Sequence, residues 1–179
     1  LVQMANSSEY ANYVGQATGN SVTNPGFSTD WYDQILRGAW YQSHGLSLSG
    51  GSDKMTYFLS GGYIEDQGIV IDNKFRRLNL RTNLDFKINK MVKTGIITNF
   101  SNINNKTVNL GTAYNNAYRA APIIQAKENG RYGNTSSYQN VGNPILDIEN
   151  NNARSYGNRK RATGYLEVNP LDWITLRSS

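Results

Sequence analysis

Side chains able to do covalent chemistry are few in this chain. His44 is the only histidine and there is no cysteine, which excludes thiolate nucleophiles, thiolate metal sites and disulfides. Catalysis by an activated serine needs a base and a group to orient it, and no Ser/His/Asp arrangement supplies them. His44 stands at the start of an alternating stretch and reads as a structural or capping residue. The glycines of "GGSDK" (50–54) resemble a phosphate loop, but the spacing and the Lys-Ser/Thr ending are missing, so a hairpin turn is expected. Glu65, Asp66 and Asp72 fall in one connection and could take calcium, yet no regular ligand series indicates it. No catalytic residue, metal or other cofactor is expected, and the chain does not read as an enzyme.

The chemistry that remains is reversible binding. Asn79, Arg81, Asn83, Asp85 and Lys87 form one strip of donors and acceptors. Farther on, Tyr114, Tyr118, Tyr132, Tyr138 and Tyr156 are interspersed with asparagines and offer flat apolar faces beside amides. Sugars present apolar faces rimmed by hydroxyls and suit such a surface; peptides suit it equally.

The strip exists only if a strand holds it. Between its members lie Leu78, Leu80, Thr82, Leu84, Phe86 and Ile88, so the period is 2 and residues 75–89 are expected to be a strand. Alternation also marks 44–50, 55–63, 92–103 and 162–168. Tight turns are expected at 50–54, 89–91 and 169–172, and long excursions at 64–74 and 104–160. A short amphipathic helix capped by Ser7 or Ser8 is expected over 7–17, and "DWYDQIL" and "AYRAAPI" suggest single helical turns. The expected organisation is a loop region with a helix over 1–43, four strands over 44–103, a long loop over 104–160 and a further hairpin over 161–179.

Composition narrows the class. Charged residues are 17% and hydrophobic ones 38%, against a charged share of about 25% in soluble domains. The difference is neutral and polar, with 24 Asn, 17 Gly and 12 Tyr. Disordered chains favour high net charge and few aromatics, unlike this one. The net charge of +5 has one dense focus, Arg159, Lys160 and Arg161, and no nucleic-acid motif accompanies it. No apolar run approaches the ~18 residues of a membrane helix.

Alternation by itself fits a half-buried soluble strand as well. The order of connections is more telling. In an up-and-down antiparallel sheet successive turns lie at opposite ends, so the tight turns share one end and the excursions the other, the pattern of an outer-membrane barrel. In such a barrel the leucine face meets lipid and the charges face the lumen, because an Arg or Lys on the lipid side costs about 2–4 kcal/mol at the midplane. Tyr57, Tyr63, Tyr165 and Trp173, near strand ends, are then candidates for interfacial girdles. Open edges are not tolerated in lipid, so about six strands are expected to be one piece of a larger barrel. The fold class expected is all-β: an antiparallel up-and-down transmembrane β-barrel segment with long extracellular loops.

An ordered series of short elements resembles the early barrel of SusC/RagA-type TonB-dependent outer-membrane transporters of Bacteroidota. The elements are Thr29 to Asp33, His44 to Gly51, Tyr57 to Ser60, Gly62 and Tyr63, Asp66 to Ile69, and Arg77 to Asp85, followed by "AAPIIQ", "ENGRYGN" and "GNPILDIENN" in the long loop. Gly45 departs from the asparagine more usual there. The resemblance implies a barrel of about 22 strands with a plugged lumen, a plug and a TonB-contacting segment before Leu1 and more strands after Ser179. It implies location in the outer membrane, a SusD-like surface lipoprotein as partner, and import of glycans or peptides driven through TonB. Nucleic acid is not an expected partner. Two other readings remain open: a SusC-like barrel serving as a structural subunit of a larger outer-membrane assembly, and a soluble all-β carbohydrate-binding module.

Overall fold

The computed structural model describes residues 4–138, 140–150 and 153–179. In chain order the elements are α1 (Ser7–Thr18), α2 (Trp31–Ile35), β1 (Trp40–Gly51), β2 (Met55–Gln67), β3 (Lys74–Lys87), β4 (Val92–Lys106), α3 (Leu110–Arg119), β5 (Lys127–Glu128), β6 (Arg131–Tyr132), α4 (Pro144–Glu149), β7 (Arg154–Leu171) and β8 (Ile174–Ser178). They fall into two compact units. One holds residues 1–39, 68–73 and 106–153; the other holds 40–67, 74–105 and 154–179.

The second unit is a six-stranded sheet in the order β1-β2-β3-β4-β7-β8. Neighbours in sequence are neighbours in space, apart from the excursion between β4 and β7. The β1–β2, β3–β4 and β7–β8 connections share one rim. There the Lys87 N–H donates to the Lys54 carbonyl and the Asn169 N–H to the Met91 carbonyl.

The strands run past the stretches where hydrophobicity alternates. β1 begins at Trp40 rather than 44, β2 continues to Gln67, and β7 begins at Arg154 rather than near 162. The excursion expected at 64–74 therefore shrinks to 68–73, and the later one ends at 153. Ladder bonds join backbone to backbone whatever the side chains. Alternation fades once both faces turn polar, while pairing continues.

The other unit is a lobe of short helices whose ends are set by side-chain caps. The α1 cap is Asn6 rather than Ser7 or Ser8: its Oδ1 accepts from the Glu9 N–H at 2.9 Å and the Glu9 carboxylate accepts from the Asn6 N–H at 2.9 Å, a reciprocal capping box. Ser7 is buried, and its N–H donates to the Ser28 hydroxyl. Asp30 caps α2 by accepting from Tyr32 and Asp33. Asn143 caps α4 ahead of Pro144, whose missing N–H costs nothing at a first helical position. The turn between β5 and β6 is Asn129-Gly130, both at positive φ, as a two-residue hairpin demands. Trp31, Ile35, Val70, Ala117 and Ile148 form the larger core cluster, and Tyr10, Ala121 and Ile123 a smaller one.

Candidate functional site

Pairing across β1, β2 and β3 sorts their side chains into rows, because residues opposite one another in antiparallel strands point to the same face. One face carries Leu46, Gly61 and Leu80 in a row, then Leu48, Leu59 and Thr82, then Gly50, Tyr57 and Leu84. Gly50 leaves room for the Tyr57 ring, since a Cβ there would lie 2.6 Å from the Tyr57 hydroxyl. The other face carries Gly45, Gly62 and Asn79, then Ser47, Ser60 and Arg81, then Ser49, Phe58 and Asn83, then Gly51, Thr56 and Asp85. Asn79, Arg81, Asn83 and Asp85 thus share one face, with Lys87 next in the alternation. The Arg81 Nε–H donates to the Asn83 side-chain oxygen at 3.4 Å.

Much of the leucine face is exposed. Leu46 is 81% exposed and Leu176, on β8, 61%; a packed sheet would cover such residues. From Leu78 in β3 to Ile88 just past its end the apolar side spans ten residue steps. At about 3.3 Å each they make about 33 Å along the chain, or about 23 Å of height at a tilt of about 45°, close to the apolar band of about 25 Å on an outer-membrane barrel.

Beyond Leu78 that band ends. Glu65, buried to 6% exposure, sits between Gln42 and Arg76 in one row. It accepts from the Tyr63 hydroxyl at 2.7 Å, Arg76 Nε at 3.2 Å and Gln42 Nε2 at 3.3 Å, and also pairs with Lys74. Asp66 lies in the alternate row, on the opposite face, and Asp72 pairs with Lys106 at 2.7 Å. The three carboxylates weighed for calcium are therefore not gathered. Among the described residues no group of three His, Cys, Asp or Glu could hold a metal ion. His44 Nε2 lies 3.1 Å from the Gln42 side-chain oxygen.

Sequence reading missed a network lower on the polar face. Tyr165 is not in an apolar girdle; it lies on the polar side, its hydroxyl donating to Asp85 Oδ1 at 2.5 Å. Gly95 on β4 makes this possible, since a Cβ there would stand 2.5 Å from the Tyr165 ring and 2.6 Å from the Asp85 carboxylate. Lys93 pairs with Glu167 at 3.3 Å and Arg177 with the same carboxylate at 3.8 Å, while the Arg177 guanidinium lies 4.0 Å from the Tyr165 ring centroid. The only sequence signal was a glycine inside a strand, which marks a close approach.

The five loop tyrosines are not brought together. Tyr114 and Tyr132 pack on the larger core cluster, Tyr114 tilted against Tyr32. Tyr138 meets Tyr10 edge-on with ring centroids 6.5 Å apart. Tyr118 is 59% exposed in the helical unit; Tyr156, exposed as well, lies on β7 rather than in the loop.

The helical unit holds a polar cleft of about 590 Å³ lined by Ser28, Asp30, Asp33, Gln125, Lys127 and Glu149, among others. Lys127 Nζ lies 2.8 Å from Glu149 and 4.7 Å from the Tyr132 ring centroid, and the Tyr132 hydroxyl donates to Glu149. Lys127, and secondarily Tyr132, hold the Glu149 carboxyl below its ordinary range. Glu149 in turn raises both Lys127 and Tyr132.

No family model matches the chain. It is similar to a TonB-dependent receptor of Formosa agariphila, 28% identical over an alignment of 185 positions that takes in 99% of this chain and 18% of that protein. It is also similar to the TonB-dependent receptor SusC of Bacteroides thetaiotaomicron, 32% identical over 137 residues, 75% of this chain and 13% of that protein. The chain thus spans under a fifth of the length of either relative. A solved structure of the RagAB peptide importer in its closed-closed state matches 99% of this chain and 25% of that one, with a TM-score of 0.68 at 16% identity. A likeness at that identity establishes the fold, an antiparallel stretch of barrel wall.

Proposed function

The chain is part of a TonB-dependent receptor of the SusC/RagA type, and on that premise we propose that its sheet is an arc of wall through which a glycan or peptide is imported. The leucine face meets the hydrocarbon of a Bacteroidota outer membrane. The opposite face, with Asn79, Arg81, Asn83, Asp85 and Lys87, lines a wet lumen. The excursions leaving β2 and β4 belong to the extracellular side, where a SusD-like lipoprotein is the partner, and TonB supplies the energy through parts of the receptor outside this chain. Loop tyrosines such as Tyr118 are candidates for ligand contact.

One observation carries this: across β1, β2 and β3 the register keeps the leucine rows on one face and the charged rows of the strip on the other. A soluble carbohydrate-binding module would have to leave the leucine face in water.

Cysteine labelling tests it, since this chain contributes no background cysteine. In a cysteine-free full-length receptor, Asn79→Cys and Asn83→Cys should react with a water-soluble maleimide. A bimane placed at Leu46→Cys or Leu80→Cys should be quenched by brominated lipid. The reverse pattern, or full-length receptor that is soluble without detergent and lacks heat-modifiable gel mobility, removes the proposal.

A further inference from the structure

The basic cluster Arg159, Lys160 and Arg161 is not used by any contact described above. Its place in the sheet follows from register. The Ile88 N–H donates to the Val92 carbonyl, and Gly95 stands beside Asp85, so β3 and β4 pair with a constant offset. Lys93 with Glu167, Asn102 with Asn158, and Ile103 against Gly157 fix β4 on β7 in the same way. Continuing both registers, Arg81, Asn99 and Arg161 fall in one row of the polar face, and Asn79, Ser101 and Arg159 in the next. Lys160 points to the opposite face.

A further row holds Arg77, Ile103 and Gly157. These three rows contain four guanidiniums and no carboxylate. Lower down the same face the charges are satisfied: Lys93 and Arg177 by Glu167, Asp85 by Tyr165. Among the described residues no carboxylate pairs with Arg81, Arg159 or Arg161, and the Nε of Arg77 is buried without a hydrogen-bond partner. A cavity of about 700 Å³ is lined by Asn99, Ser101, Arg159 and Arg161 of this face and, at the edge of β7, by Asn158 and Lys160. Strands lie about 4.8 Å apart, so Arg81 and Arg161 stand about 10 Å apart at their Cα atoms. Side chains of their length can converge over Asn99 between them.

We propose that Arg81, Arg159 and Arg161, with Asn79, Asn99 and Ser101 between them, bind a carboxylate of the imported ligand. Guanidinium forks match carboxylates two bonds at a time, and the asparagine amides and the serine hydroxyl add donors around them. Unpaired cations in a concave wall also raise the local concentration of anions. The inference rests on the importer reading and narrows it to acidic ligands, which can be uronate-bearing glycans or acidic peptides.

The test is calorimetry on the full-length receptor in detergent. Four probes are used: tetragalacturonate, its methyl ester, a hexaglutamate peptide and a hexaglutamine peptide. One acidic probe should bind about tenfold or more tighter than its neutral counterpart, the scale of lost hydrogen bonds to a charged group. Which one does so distinguishes glycan from peptide. In the R81Q/R159Q/R161Q variant that preference should vanish while neutral binding stays put. If the triple variant loses heat-modifiable mobility, R159Q/R161Q with Arg81 intact carries the same comparison. Equal binding of acidic and neutral probes by the wild type overturns the inference, as does an unchanged preference in the variants. A receptor that takes up neutral probes in a TonB-dependent manner without acid preference leaves the importer reading standing and removes only this site. One that takes up none of the probes and labels with the reversed cysteine pattern removes both.

Discussion

The helical unit and the sheet use apolar side chains in opposite ways. In the helical unit Trp31 is 1% exposed, its indole N–H donates to the Ala121 carbonyl at 3.0 Å, and the residues around it bury one another. In the sheet Leu46, Leu48, Leu59 and Leu80 of the leucine rows stay exposed, and the buried positions noted there are Glu65, held by an ion cluster, and Gly95, beneath a tyrosine. A soluble core is stabilised by residues touching each other; a membrane wall leaves its apolar residues for the lipid. The two units should therefore answer different perturbations.

The largest effect is expected from Trp31→Ala, which opens a cavity in the helical core and costs about 3–5 kcal/mol. Hydrogen exchange should rise through α2, α3 and α4 in the full receptor while heat-modifiable mobility is retained; loss of the barrel's mobility would break the separation. Next, Leu84→Arg puts a charge near mid-height on the lipid side and should cost about 2–4 kcal/mol in urea titrations of the receptor folded into vesicles. Asn83→Arg, one residue away on the other face, should cost far less, and equal costs would collapse the two-faced description. Asp30→Ala removes the α2 cap and should cost about 1 kcal/mol, read as faster exchange at residues 31–36 alone.

The smallest effect concerns pH. Glu149 is depressed chiefly by Lys127, so its contribution is complete above its unfolded value, about 4.3, and fades as pH falls through the lower folded value. Lys127 and Tyr132 are raised, so theirs is complete below their ordinary values and fades as pH climbs through the folded ones. Thermal unfolding of the helical unit should be flat between these limbs, and Glu149→Gln should flatten the acid limb. An unchanged acid limb in that variant would show that the cluster does not couple to folding.

What was readable in advance followed the reach of each interaction. The β3 strip was legible because alternation is a two-residue signal, and α1 because apolar residues three to four positions apart mark one side of a helix. The cap itself was misassigned, since Asn6, Ser7 and Ser8 are all competent and only geometry selects one. The start of β7 was missed because Arg154 to Arg161 is polar on both faces, leaving pairing with no hydrophobic trace. The tyrosines looked like one surface in the chain and proved to be dispersed, three packing on core clusters and one lying in a strand.

Local order along the chain thus determined the strands, their faces, the tight turns and the kinship with TonB-dependent receptors, because each rests on neighbours a few residues apart. Tertiary structure alone decided that Tyr165 reaches Asp85 over Gly95, that Glu65 is enclosed by cations, and that Arg81 shares a row with Arg161. Those partners are separated by many residues in the chain. They meet because backbone ladders align distant strands, and no side-chain pattern within one segment records the register of the next.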